Sequence, residues 1–152
     1  MASIRLVIVD DHEVARRGMR SVVGGNSNLE VVAETADGEQ AVEMARALRP
    51  DIVLLDISLP GISGIEAARR IRDVSPESRI VFVSQHDSLR MAKDALKIGA
   101  CGYVVKSDAG RDLLTAIQAA REGRVFVSRT LAARGWNLEP ESAQFTSTQE
   151  IP

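Results

Sequence analysis

Hydrophobic and polar positions along this chain alternate between two periods. Short apolar runs rich in β-branched residues occur at 4–9, 31–33, 52–55, 80–83 and 103–105. They are continuous rather than alternating, as strands covered on both faces require. The segments between them follow the helical period. The clearest places Ala41, Met44, Ala45 and Leu48 on one face at i, i+3, i+4 and i+7, and Pro50 stops it. Helices are also predicted over about 12–23, ending at Gly24 and Gly25, and over about 65–74, 88–97 and 108–123. Five strands alternating with five helices predict a parallel sheet covered on both faces. Five units are too few for an eight-stranded barrel, which leaves an open doubly wound sheet. From Ser128 the pattern changes: SRTLAARGWNLEPESAQFTSTQEIP holds one helical turn near 130–134, then polar residues and two prolines. The expected organisation is a domain over 1–127 followed by a tail or interdomain linker over 128–152.

Composition narrows the function classes. The 152 residues are 45% hydrophobic and 26% charged, with a net charge of −2, so nothing draws the whole chain toward nucleic acid or an anionic membrane. A single cysteine, Cys101, excludes an internal disulfide. The opening MASIRLVIVDDHE is too short in its apolar run for a signal peptide, and no stretch reaches membrane-spanning length. The expected location is cytoplasmic.

Parallel strands present their carboxyl ends at one edge, and the polar residues at those ends are of a consistent kind. The first strand delivers Asp10 and Asp11, the third Asp56, the fourth Ser84 and the fifth Lys106. Taken singly, each is ordinary, since a double Asp after a strand is commonly a solvated turn or a helix N-cap. Together they place three carboxylates, a hydroxyl and an ammonium in one crevice. Two carboxylates about 4 Å apart repel by roughly 4 kcal/mol at an effective dielectric near 20. Lys106 offsets one charge, and a hard divalent cation suits the rest, Mg²⁺ rather than zinc in an oxygen-only setting. His12, His86 and Cys101 are the soft ligands available, and their spacing fits no zinc site. Such a pocket favours a phosphoryl group, with Asp56 as the nucleophile that forms an acyl phosphate.

Four blocks, VIVDDHEVARRG, LLDISLPGISGIE, VFVS and GACGYVVK, resemble the signature blocks of two-component response regulator receiver domains, over about residues 4–128. The details are similar to the NarL/FixJ branch, whose members often carry a LuxR-type helix-turn-helix after the receiver. The resemblance implies a flavodoxin-like (CheY-like) α/β fold, a doubly wound five-stranded parallel sheet with five helices. It implies that Asp56 is the phosphoacceptor, taking its phosphoryl group from a sensor histidine kinase. Asp10, Asp11, Asp56 and the backbone carbonyl of Ser58 match the Mg²⁺ ligands, Asp11 directly and Asp10 mainly through water. Lys106 matches the phosphate-pairing lysine, Ser84 the switch hydroxyl, and Tyr103 the aromatic that turns inward when Ser84 moves. Ser58 and His86 match positions that tune dephosphorylation. Pro60 and Gly64 match the loop after the acceptor. Ser107, where the family usually has proline, and Gln85, where a smaller residue is common, depart from the pattern.

The implied activity is not that of an enzyme in the ordinary sense, only self-phosphotransfer and autodephosphorylation. A haloacid-dehalogenase-type phosphatase also uses an aspartyl phosphate, but it needs an Asp where this chain has Ser58. A stand-alone or degenerate receiver acting as a protein-interaction module is the alternative. After Ser128 there is no helix-turn-helix pattern and no basic recognition helix. DNA contact is therefore expected only through an output domain outside this chain. By the same resemblance, the expected output is transcription and a homodimer is expected on phosphorylation; no membrane partner is expected.

Overall fold

The computed structural model describes residues 3–136. The elements run β1 (Ile4–Val9), α1 (Glu13–Gly24), β2 (Leu29–Thr35), α2 (Gly38–Leu48), β3 (Ile52–Leu55), α3 (Gly64–Val74), β4 (Arg79–Ser84), α4 (Leu89–Lys97) and β5 (Gly102–Val105). A 3₁₀ turn (Lys106–Asp108), α5 (Ala109–Arg121), β6 (Phe126–Val127) and α6 (Arg129–Ala133) follow. The strands form one parallel sheet in the order β2-β1-β3-β4-β5-β6. The chain steps outward from β1 to β2 and then crosses to β3 on the other side. The carboxyl ends of β1 and β3 therefore flank the point where the winding reverses, where open α/β sheets form their crevice.

Alternate residues of each inner strand feed two separate cores. Val7, Val9, Val53, Leu55, Phe82, Tyr103 and Val105 face α2, α3 and α4, whose small residues Ala41, Ala45, Ala67, Ala68, Ala92 and Ala95 let the helices lie close. Leu6, Ile8, Ile52, Leu54, Val81, Val83 and Val104 face α1 and α5, meeting Met19, Val23, Leu113 and Ile117. Burial on both sides explains why these strands read as unbroken apolar runs. The helices begin where the sequence supplies caps: Asp37, Ser63 and Ser88 each accept a backbone N–H of the first turn, from Gln40, Glu66 and Met91.

The expected five strands and five helices need correcting: the described residues contain six of each. The additions come from the short β6 and α6. β6 pairs with β5 through Gly102–Phe126 and Tyr103–Val127, and Leu131 of α6 is fully buried in the core on the α4 side. A two-residue strand carries no readable period, and a five-residue helix is held by tertiary contacts rather than by its own propensity. The expected tail or linker begins inside this unit, at Ser128. Residues 137–152 of it lie outside the described residues.

Candidate functional site

The crevice is assembled from strand ends. Asp10 follows β1, Asp56 follows β3, Ser84 ends β4 and Lys106 follows β5. Asp10, Asp56 and Ser84 are buried, while Asp11 and Ser58 lie at the exposed rim. Lys106 Nζ lies 3.0 Å from Asp56 Oδ2 and 2.7 Å from Asp10 Oδ2, bridging the two buried carboxylates. Its contact with Asp56 is a hydrogen bond. Its contact with Asp10 is a close ion pair, and this ammonium is the one cation at Asp10 Oδ2 among the described residues. The other Asp10 oxygen, Oδ1, accepts from the His12 N–H at 2.8 Å. Asp56 Oδ1 accepts a longer bond from the Ser58 N–H, 3.3 Å.

These surroundings shape the acid–base character of the site. Burial pushes the Asp56 carboxyl above its ordinary value; the Lys106 bond and charge oppose this, and the Asp10 charge adds to it. Burial also works against the Lys106 ammonium, but the two carboxylates outweigh it and its pKa rises. One ammonium therefore serves two buried acids, with a third acid, Asp11, close by. Ligating atoms of Asp10, Asp11, His12 and Asp56 all lie within 4.8 Å of one another. Three clustered carboxylates with one ammonium between them fit a hard divalent cation such as Mg²⁺, whose ligand set is oxygen. His12, weighed in the sequence only as a zinc ligand, also reaches this cluster. Its Nδ1 sits 3.3 Å from both Asp10 Oδ1 and Asp11 Oδ1, and its position directly after the acidic pair was the available signal.

The loop after Asp56 depends on glycine. A Cβ on Gly64 would fall onto the Asp56 carbonyl oxygen and lie 2.7 Å from Ile57 Cα, so only glycine lets α3 start this close to β3. Gly61, at φ 76°, makes the turn that follows Pro60. At the other expected irregularity, Lys106–Ser107 is trans, and the 3₁₀ turn carries the chain directly into α5. Gln85 is exposed at the rim.

The remaining expected residues meet at His86. Its side chain Nε2 and Ser58 Oγ are 2.8 Å apart, spanning the mouth of the crevice between the β3–α3 and β4–α4 loops. Its backbone N–H donates to Ser84 Oγ at 3.1 Å, and its carbonyl accepts from the Tyr103 hydroxyl at 2.9 Å. Tyr103 is fully buried against Phe82, with ring centroids 6.4 Å apart. Its ring is thus already inward, and burial raises the pKa of its phenol.

Comparison with known proteins brings one family to this geometry. The response regulator receiver domain matches residues 6–118. The response regulator UvrY of Escherichia coli (strain K12) is 32% identical over 151 residues, covering 97% of this chain and 69% of that protein. The nitrate/nitrite response regulator NarL of the same strain is 36% identical over 126 residues, 83% of this chain and 58% of its own length. The transcriptional activator ExaE of Pseudomonas putida is 35% identical, and this chain spans 60% of its length. Among solved structures, a LuxR-family two-component response regulator from Aurantimonas sp. SI85-9A1 superposes with a TM-score of 0.82 at 39% identity, covering 87% of this chain and 94% of that one. The receiver domain of a NarL from Mycobacterium tuberculosis gives 0.77 at 31% identity, covering 82% of this chain and all of that one.

Proposed function

The chain belongs to the response regulator receiver family, and from that premise we propose that it is a phosphoacceptor switch acting through Asp56. The observation that carries this reading is the Lys106 ammonium bridging two buried carboxylates, Asp56 and Asp10, with Asp11 beside them. An Asp56 oxygen attacks the phosphorus of a phosphohistidine on a sensor kinase. The new P–O bond forms as the P–N bond breaks, and the electron pair leaves on the imidazole nitrogen. Lys106 already stands on the Asp56 carboxylate, so it meets the arriving phosphoryl oxygens without a new side-chain search. The Ser84 hydroxyl, at the neighbouring strand end, supplies a donor to the same group.

Asp10, Asp11 and Asp56 would hold Mg²⁺, together with the Ser58 carbonyl that the family resemblance adds. Bound there, the ion would neutralise phosphoryl charge that one lysine cannot. Water must then reach the acyl phosphate for the switch to reset. The Ser58–His86 bridge stands across that approach and sets its rate. The output of this switch is transcription through a DNA-binding domain, a reading supported by relatives described as transcriptional regulators. Phosphorylation favours a homodimer in the same scheme.

Intact-mass measurement after incubation with acetyl phosphate, with and without Mg²⁺, tests the core of this reading. One phosphoryl addition is expected, dependent on Mg²⁺ and lost in Asp56→Ala. Full labelling of Asp56→Ala would sink the assignment. No addition from any donor, a kinase phosphodomain included, would leave the chain as a protein-interaction module on a receiver fold.

A further inference from the structure

The segment after α5 is anchored at points that adjoin the site. Ser128, fully buried between β6 and α6, donates its N–H to the Tyr103 carbonyl at 2.9 Å, and its Oγ accepts the Val105 N–H at 3.1 Å. The first free N–H groups of α6 are taken by carboxylates of the 3₁₀ turn and α5. Asp112 Oδ2 accepts from Arg129 and Asp108 Oδ2 from Thr130, each at 3.0 Å. Leu131 then packs in the same core as Tyr103 and Val105. Just past α6, Arg134 Nη2 lies 2.9 Å from Asp87 Oδ2, tying the segment to the β4–α4 loop. The Trp136 side chain packs on that core, with its buried Nε1 finding no acceptor among the described residues.

Apart from Asp112 on α5, the anchors lie within three residues of the proposed phosphoryl machinery. Asp87 follows His86 and stands three residues after Ser84. Asp108 stands two residues after Lys106. Tyr103 is itself tied to the same loop, through its hydroxyl on the His86 carbonyl. The segment therefore grips the two parts of the backbone that a phosphoryl group on Asp56 would pull.

We infer that α6 and Trp136 form a latch across β5 and the β4–α4 loop, held closed by Asp87–Arg134 and opened by phosphorylation of Asp56. This rests on the phosphoacceptor reading above. A phosphoryl oxygen that recruits the Ser84 hydroxyl turns it away from the His86 N–H, and the loop carrying Asp87 shifts with His86. The Asp87–Arg134 pair is exposed enough to exchange its partners for water at little cost, so it is the part that yields. The end of α6 and Trp136 then swing outward while Leu131 and β6 stay in place. Coupling of this kind is reciprocal: a weakened latch makes phosphorylation more favourable.

Trp136 is the only tryptophan in the chain, so its emission reports on the latch directly. The experiment follows intact mass and Trp136 fluorescence on the same samples of the full chain, treated with acetyl phosphate and Mg²⁺. Phosphoryl addition should be accompanied by a shift of emission to longer wavelength and by stronger acrylamide quenching, both absent in Asp56→Ala. Arg134→Ala should show the shifted emission before any phosphorylation. At limiting acetyl phosphate it should be phosphorylated roughly fivefold more than the parent, the lower end of ordinary coupling. Arg134→Lys should restore the parent behaviour. Phosphoryl addition with unchanged emission and quenching overturns the latch while leaving the phosphoacceptor intact. Arg134→Ala that matches the parent in both readouts overturns it too. Absence of any phosphoryl addition removes the latch together with the reading on which it rests.

Discussion

The two edges of the sheet handle charge in opposite ways. At the amino edge, where α2, α4 and α5 end, arginines sit on the last carbonyls. Arg5 donates to Leu48 and Arg49, Arg72 to Ile98, and Arg79 to Ala120. Each places a cation at the negative end of a helix dipole and satisfies carbonyls the helix cannot. Buried hydroxyls are equally settled there, with Ser75 bonded to Ser78 and Ser78 to the Pro50 carbonyl. At the carboxyl edge, where α1, α3, α4 and α5 begin, three acids share one lysine, and two of those acids are buried. Both edges use the sign of the helix ends, but only the amino edge is balanced. The difference teaches where stability has been given up: the unsatisfied edge is the one arranged to accept something.

Substitutions on the two edges should therefore separate stability from phosphorylation. The largest contrast is expected from Asp56→Asn, which abolishes phosphoryl addition in the mass assay. It should also raise Tm by about 2–4 °C, what roughly 1 kcal/mol gives in a chain of this size, because burial holds that carboxylate at a cost. A fall in Tm would break the comparison. Lys106→Ala should do the reverse, costing about 2–3 kcal/mol in urea unfolding because two buried acids lose their partner. It should also slow labelling sharply. Arg79→Ala at the amino edge should cost about 1 kcal/mol, the worth of one charge-assisted helix cap, with labelling unchanged. A labelling defect there would mean the edges are not independent.

The smallest effect expected is on the α6 anchor. Burial raises the Asp108 carboxyl, but bonds from Thr130 and Ser128 outweigh it, and its pKa in the folded chain is below the ordinary 3.8. The folded state thus binds fewer protons than the unfolded one, and the stabilisation is complete above the ordinary value. It is lost as pH falls through the folded one. Trp136 emission should begin to shift below about pH 3.8, and Asp108→Asn should remove that step.

The inner strands and the strand-end acids were legible because burial on both faces writes unbroken apolar runs, and a parallel sheet brings their ends together. Ile52–Leu55 running into Asp56 is the plainest case. The Lys106 bridge followed from the same rule. The Ser58–His86 bond did not, since two loops 28 residues apart meet only once the sheet is built. The helical turn near 130–134 was legible, but its anchoring was not: the first N–H groups of α6 are taken by Asp108 and Asp112, and its one fully buried side chain is Leu131. Its stability lies in residues on other elements, which no local pattern reports.

β6 carries a consequence of another kind. A strand edge left bare offers its N–H and C=O groups to any other chain, and β5 beneath it is apolar along its whole length. Two residues of β6 and the Ser128 hydroxyl occupy that edge. A chain shortened to residue 124 should therefore self-associate by strand addition, with growing light scattering and a cross-β infrared signature. Whatever the segment does in signalling, it also keeps β5 from finding the wrong neighbour. That second duty bounds the first: the end of α6 can let go, but β6 cannot follow it.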